Sequence, residues 1–210
     1  MKRIVLILLT LAIGFTFAQD SVSVPLDSVL KNGNLHFGQR FVLTRLANWQ
    51  HFSYGNDDMN CQFEPSCSNF MAQSILEKGV LPGIISGTDR VLRCNSHAVE
   101  HHLQHDVAAF HFDGRIYEPI QYKAVETPQK SPFLAALFST VLPGSGRCYA
   151  GNPYDGKIGF VLTSALAGMS YWSYASEHPI SGALFASTTT FFWTVDIYGA
   201  WKDARQTSKK

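Results

Sequence analysis

The sequence has almost no net charge: 17 Lys and Arg residues are balanced by 16 Asp and Glu residues, which leaves a formal charge of +1. A nucleic-acid-binding domain carries a basic patch or stripe, so this balance argues against nucleic acid as a partner. P-loop and dinucleotide fingerprints are also missing. Gly144-Ser145-Gly146 is not a nucleophile elbow, because Pro143 stands where Gly-x-Ser-x-Gly needs its first glycine. These patterns therefore predict no catalytic residue and no cofactor.

The N-terminus has the pattern of a secretory signal. Lys2 and Arg3 precede an almost wholly apolar stretch from Ile4 to Phe17, and Ala18 is a small residue of the kind that signal peptidases accept. A spanning helix needs about 20 apolar residues, so this stretch is short for one. We expect residues 1–18 to be a signal peptide that directs export of the rest of the chain; an uncleaved anchor with the same orientation is the alternative.

Composition divides the rest of the chain into segments. Residues 19–34 are polar and weakly patterned, which is typical of a linker. Residues 35–122 are rich in aromatic residues, His and Cys, and we interpret them as a compact module. Residues 123–131 are interpreted as a second linker, residues 132–201 as a membrane domain and residues 202–210 as a basic tail.

Two long uncharged windows lie in the last region. They cover residues 158–176 and 179–195, and each is near the length that crosses a bilayer. They predict a transmembrane helical hairpin in the lipid bilayer, with the second helix continuing to about residue 200. A buried soluble helix pair is the alternative. Asp196, at the end of the second window, is interpreted as an interfacial acid near Lys202.

Helix signals dominate the module, so the fold class is expected to be mainly α. Pro65-Ser66 and Gly79 bracket a helix over Cys67–Lys78, since Ser and Pro favour helix starts and Gly favours helix ends. Asp113-Gly114 lies between two apolar runs and predicts a short β-hairpin with a two-residue turn. Apolar residues recur at helical spacing from Phe41 to Phe52, and this helix either lies on a membrane surface or faces the core.

The chain contains four cysteines, at Cys61, Cys67, Cys94 and Cys148. Export would permit disulfides. Cys61, Cys67 and Cys94 are close in sequence and are the disulfide candidates, which leaves Cys148 as the odd one. The alternative is metal ligation together with nearby histidines. Five residues separate Cys61 from Cys67, whereas about two to four residues separate the paired ligands of a zinc knuckle. This spacing favours a structural role for the cysteines.

A histidine-rich segment lies beyond Cys94. His97-x-x-Glu100-His101 has the spacing of the inverted zinc-peptidase motif, in which one helical face carries two metal ligands and a general base. His105 repeats the spacing of four residues from His101. The segment lacks an apolar helical period, which weakens the match. A metal-dependent, membrane-associated hydrolase with zinc at these residues is the alternative function.

The segment from Cys61 to Ser68 reads Cys-x-Phe-x-Pro-Ser-Cys-Ser, with fixed positions at Cys61, Phe63, Pro65, Ser66, Cys67 and Ser68. Arg90, Cys94 and Pro119 come after it in the order of further family motifs. In these residues the module resembles the YidD family of membrane-protein-insertion efficiency factors. Cys94 is succeeded by Asn95-Ser96-His97 rather than by the family's His-Pro.

The resemblance implies a non-enzymatic accessory factor that associates with the membrane beside the insertion or translocation machinery. The family works at the cytoplasmic face, whereas the leader predicts that this module lies on the periplasmic face of the inner membrane. The segment from Pro143 to Gly151 resembles a Pro-Gly-x-Gly-x-x-Tyr-x-Gly motif that precedes two-span membrane domains. The expected protein is thus a YidD-like module fused to a two-span hairpin.

Overall fold

A computed structural model describes residues 25–54, 61–105, 109–118, 120 and 130–206. The predicted signal peptide, residues 1–18, lies outside the described residues, as do residues 123–129 of the second predicted linker. Helices α1 (Pro25–Asn32) and α2 (Phe37–Tyr54) come first. The stretch interpreted as the first linker therefore contains a helix.

The helix over Cys67–Lys78 is confirmed as α3. The side chain of Ser66 accepts a hydrogen bond from the backbone N–H of Asn69, which satisfies one of the free donors at the helix start. Gly79 alone separates α3 from α4 (Val80–Arg93), and α5 (Ala98–His105) comes next. Leu26, Leu43, Ala47, Ala72 and Ile75 form a core between α1, α2 and α3.

Three short strands among the described residues form one sheet in the order β1-β3-β2. Strand β1 (Phe63–Glu64) runs parallel to β3 (Ile116–Tyr117), and β2 (Ala109–Phe110) is antiparallel to β3. The predicted hairpin is therefore present. Its turn is longer than predicted: the N–H of Gly114 donates to the carbonyl of His111, and Gly114 has a φ of 85°. This is a three-residue loop with a left-handed glycine at its end.

The C-terminal part consists of α6 (Pro132–Val141), α7 (Ser145–Ala150), α8 (Pro153–Ala175) and α9 (Pro179–Gln206). Helix α9 packs against α6, α7 and α8, and also against α4. Small residues make this packing close, with Ala135, Ala150, Ala200 and Ala204 buried together. The first residues of the predicted basic tail, up to Gln206, are the last turns of α9.

The predicted transmembrane hairpin is wrong. Helices exist at both windows, but among the described residues no helix is both long enough and apolar enough to cross a membrane. Length is sufficient in α8 and α9, whose sequences contain many Gly, Ser, Thr, Tyr and Trp residues that lower their apolar character. The fold class is corrected accordingly to a mainly helical protein with a small sheet, without the predicted membrane hairpin.

Candidate functional site: a thiol cluster beside a buried ionic network

Three of the predicted site residues, Cys61, Cys67 and Cys94, meet at one point. Cys61 precedes β1, Cys67 begins α3 and Cys94 ends α4. The Sγ atom of Cys61 lies 3.3 Å from that of Cys67 and 3.8 Å from that of Cys94. All three thiols are free, and Cys148 is free and exposed on α7. The structure thus brings together the three cysteines that are close in sequence.

The remaining residues of the Cys-x-Phe-x-Pro-Ser-Cys-Ser element have structural contacts around this cluster. Phe63 is fully buried, and Ser66 caps α3 after Pro65. Ser68 accepts a hydrogen bond from the Nε2 atom of the buried Gln50, at 3.1 Å. The element therefore fixes the turn that presents Cys61 to Cys67. Pro119 lies outside the described residues.

The thiols of the cluster differ in acidity. Hydrogen bonding with the Cys67 and Cys94 thiols lowers the pKa of Cys61 to about 2. The same hydrogen bond to Cys61 raises the pKa of Cys67, and hydrogen bonding to Cys61 also raises that of Cys94. Cys61 is consequently the thiol that ionises first.

Arg90 lies fully buried beside the cluster. Its guanidinium carbon lies over two aromatic rings, 4.8 Å from the centroid of Phe63 and 4.3 Å from that of Phe70. No atom of the guanidinium makes a hydrogen bond within the described part of the chain. The carboxylate of Glu118 is 3.9 Å from Nε. Arg90 is therefore a cation held mainly by ring faces, an arrangement that is favourable when water is excluded.

A buried ionic network joins the module to the C-terminal helices. Arg147 of α7 donates to Asp89 of α4 and to Asp196 and Asp203 of α9, with distances of 2.9 Å to Asp196 and 3.3 Å to Asp203. Burial opposes the charge of Arg147, but the three carboxylates raise its pKa. Asp196 is therefore not the interfacial acid near Lys202 that the sequence suggested; it is buried and paired with Arg147.

The network continues through Glu118. This buried carboxylate accepts hydrogen bonds from Arg93 at 2.9 Å and from Lys202 at 2.6 Å. Burial alone would raise its pKa, but Arg93 and Lys202 hold the pKa well below its ordinary value. The network was not predicted from the sequence because its members are far apart along the chain; Glu118 and Lys202, for example, are separated by 84 positions. The available signal was Asp196, a charged residue directly after an uncharged helical window.

The histidine motif lies at the edge of the module. His97 precedes α5, and its Nδ1 atom is 3.4 Å from Glu100 Oε2. Its ring centroid lies 3.9 Å from that of Tyr154, with the two ring planes tilted by 40°. His97 and His101 line a cavity of about 300 Å³ between α5 and the start of α8. Across the described residues, the close group of three potential metal ligands is the cysteine cluster. The side chain of His105 lies outside the described set, and nothing in the described geometry favours the hydrolase alternative.

Helix α2 carries a row of exposed aromatic side chains. Phe37, Phe41, Trp49 and Phe52, named here the aromatic face, are all exposed. Phe41 and Phe52 are eleven residues apart, which is about three helical turns, so they lie on the same side. The opposite side of α2 is buried through Leu43 and Ala47. The helix that the sequence allowed as either surface or core is therefore apolar on both sides.

Comparison with known proteins identifies the module. The family model described as YidD, "Putative membrane protein insertion efficiency factor", matches residues 38–103. A protein of that name from Aquifex aeolicus is 39% identical over 54 residues, which cover 26% of this chain and 79% of the relative. Another from Fervidobacterium nodosum is 49% identical over 57 residues, covering 27% of this chain and 67% of the relative.

In other relatives the matched region is shorter. The protein of the same name from Thermotoga neapolitana is 49% identical over 35 residues, which cover 17% of this chain and 44% of that protein. The chain thus spans about half the length of some of the curated relatives it matches. No solved structure matches the chain. The residues that the family model matches include the thiol cluster and, apart from Phe37, the aromatic face. The chain belongs to the YidD family.

Proposed function

We propose that the chain is a non-enzymatic accessory factor that binds the membrane surface and assists the insertion of membrane proteins. Family membership supports the class of function, since the relatives are named membrane protein insertion efficiency factors. The aromatic face of α2 is the observation that carries the membrane contact. Phe37 is 87% exposed and Phe41 56% exposed, which is unusual for neighbouring large apolar side chains.

The chemistry of the aromatic face suits a lipid interface. Aromatic rings favour the boundary between headgroups and acyl chains, and cationic side chains favour anionic headgroups. Arg45 lies with its guanidinium 5.5 Å from the Phe41 ring and is exposed. Helix α2 would lie in the plane of the surface, with its other side anchored to the core by Leu43 and Ala47.

The membrane contact can be tested by vesicle co-sedimentation. A Phe37→Ser/Phe41→Ser/Phe52→Ser variant should bind vesicles containing anionic lipid at least about tenfold more weakly, because burying one apolar side chain contributes about 1.5–3 kcal/mol. The control is Phe112→Ser at the hairpin tip, which is 94% exposed and lies outside α2. Equal binding by the triple variant and the control would contradict the proposal.

The assisting role needs a second measurement. A reporter membrane protein should insert more efficiently into vesicles carrying an insertion machinery when the chain is added, and the triple variant should lose this effect. If the wild-type protein binds vesicles but never alters insertion, the membrane contact stands and the assisting role is wrong.

We further propose that the module lies on the outer face of the inner membrane. The support is the leader-like pattern of Lys2, Arg3 and the apolar stretch from Ile4 to Phe17. An alkaline phosphatase fusion after Lys210 should be active, because this reporter folds only outside the cytoplasm. A fluorescent cytoplasmic reporter at the same position that lights up instead would place the module on the inner side.

A further inference from the structure

The spacing of the three sulfurs in the thiol cluster matches that of ligands around one ion. The ligand atoms of Cys61, Cys67 and Cys94 all lie within 4.8 Å of one another. Zinc–sulfur bonds of about 2.3 Å at tetrahedral angles place two sulfurs about 3.8 Å apart. The distances from Cys61 Sγ, 3.3 Å and 3.8 Å, lie close to that value. A disulfide requires about 2.05 Å and would use only two of the three thiols.

We propose that Cys61, Cys67 and Cys94 bind one zinc ion as thiolates. The site would join the turn before α3 to the end of α4, two segments that are 33 positions apart in sequence. Strand β1 lies between Cys61 and Cys67, which accounts for a spacing longer than that of a zinc knuckle. The ion would thus tie strand, helix start and helix end together.

A backbone donor supports thiolates at this point. The N–H of Cys67 donates to Cys61 Sγ at 3.2 Å. A thiolate accepts such bonds more strongly than a thiol does, and Cys67 also lies at the positive end of the α3 dipole. The cluster is therefore surrounded by groups that favour the metal-binding form of cysteine.

Arg90 provides an independent observation. Three thiolates and a divalent ion carry a net charge of −1, and the buried guanidinium of Arg90 carries +1. Its three nitrogens make no hydrogen bond within the described residues, and its ion-pair partner Glu118, 3.9 Å from Nε, also pairs with Arg93 and Lys202. A negatively charged metal centre at the neighbouring cysteines would provide a further anion for this buried cation.

The described residues supply three ligands, and no histidine nitrogen or carboxylate oxygen among them joins the group. Zinc is usually four-coordinate, so a water molecule or an added donor would take the fourth position. Soft thiolate ligands favour zinc or another thiophilic ion over magnesium or calcium. The site is separate from the His97 motif that the sequence suggested for zinc.

The test uses the full chain, reduced and stripped of metal with a chelator, then titrated with Co²⁺ and Zn²⁺. We expect one ion per chain by mass spectrometry, with a thiolate-to-cobalt absorption band that zinc abolishes. Cys61→Ser and Cys94→Ser should each weaken binding by more than about 100-fold, beyond the usual effect of outer-shell changes. The matched control is Cys148→Ser, which removes an exposed cysteine outside the cluster.

Alkylation of the wild-type protein covers the case in which the serine variants fail to fold. Bound zinc should protect three thiols from iodoacetamide and leave Cys148 reactive. The proposal is overturned if reduced wild-type protein binds no ion, if zinc protects no thiol of the cluster, or if binding is lost in His97→Ala/His101→Ala but retained in Cys61→Ser. A chain isolated with a Cys61–Cys67 disulfide that binds no metal after reduction would overturn it as well.

Discussion

The guanidinium of Arg147 forms ion pairs with three buried carboxylates, which is more than any neighbouring cation forms. Asp203 and Asp89, two of the acids around Arg147, differ in the direction of their pKa shifts. Burial raises the pKa of Asp203 to about 6, although Arg147 acts in the opposite direction. Asp89 lies among three cations, Arg147, Arg93 and Lys202. These cations hold the pKa of Asp89 below its ordinary value despite complete burial. The network therefore contains one carboxyl group, that of Asp203, whose pKa is well above the ordinary value for aspartate.

This difference predicts a pH-dependent contribution from Asp203. Between about pH 4 and 6 the folded protein keeps a proton on Asp203 that the unfolded chain has released, so its contribution to stability is present at low pH and lost as pH rises through 6. The free energy of unfolding of the wild type, minus that of Asp203→Asn, should fall by up to about 3 kcal/mol from pH 4 to 7. Urea denaturation at a series of pH values measures it.

Glu118→Gln is the control with the opposite sign. The pKa of Glu118 is well below its ordinary value of 4.5, so its stabilising contribution is present above that pH and is lost only as pH falls further. The corresponding difference curve should be flat from pH 5 to 7. A flat curve for Asp203→Asn over the same range would show that Asp203 is ionised in the folded protein.

Residues of the Cys-x-Phe-x-Pro-Ser-Cys-Ser element were the most predictable part of the site. Their roles are local: Ser66 caps the helix that begins directly after it, and Cys61 meets Cys67 across a single turn. Arg90 was carried over by resemblance, but its position between Phe63 and Phe70 depends on tertiary packing. The pairing of Asp89 with Arg147 depends on contacts 58 positions apart, which no local pattern encodes.

Helix α9 requires a small residue where it meets Arg147. A Cβ atom at Gly199 would overlap the Arg147 guanidinium and approach Asp89 Oδ1. A Cβ atom added to Gly168 in α8 would instead lie in open space. The two glycines therefore serve different purposes, although both lie inside long helices that the sequence predicted.

Alanine at these two glycines should have opposite effects. Gly199→Ala should lower the free energy of unfolding by about 1–3 kcal/mol, because Arg147 must shift from its carboxylates. Gly168→Ala should raise it by about 0.5–1 kcal/mol, because alanine is the better helix former and meets no neighbour. Chemical denaturation of both variants at pH 7 measures the difference. Equal effects would mean that Arg147 adapts freely around α9.

Secondary structure in the C-terminal part was predictable, and its environment was not. Uncharged windows identify long helices, but the same windows suit a bilayer or a helix pair buried in protein. The deciding features are tertiary: Asp196 accepts a hydrogen bond from the N–H of Gly144 at 2.6 Å, and Trp193 donates to the carbonyl of Ser139 at 2.8 Å. These contacts turn the polar groups of α9 toward α6 and α7.

For the whole molecule, the contact between α4 and α9 joins the family module to the C-terminal helices. Glu118 and Lys202 belong to different parts and approach to 2.6 Å with little exposure of either side chain. Pairs that touch in a buried network are energetically coupled by about 0.5–3 kcal/mol. The two parts are therefore expected to unfold together.

A double-mutant cycle with Glu118→Gln and Lys202→Met tests this docking. The coupling energy from urea denaturation should exceed about 1 kcal/mol, since the pair is buried. Arg205→Met paired with Glu118→Gln is the control: Arg205 also lies in the last turns of α9 but is exposed over Trp201. A coupling below about 0.3 kcal/mol for Glu118 and Lys202 would mean that the parts do not dock in this way.

The shared network also limits how related sequences can be recombined. Asp89 and Glu118 in the module require Arg147 and Lys202 from the C-terminal helices, and a module transplanted without them would carry buried carboxylates with fewer cations. A chimera must therefore exchange both halves of the network as a set. These four side chains must therefore be retained together when either part is exchanged. None of them belongs to the cysteine element by which the family is recognised.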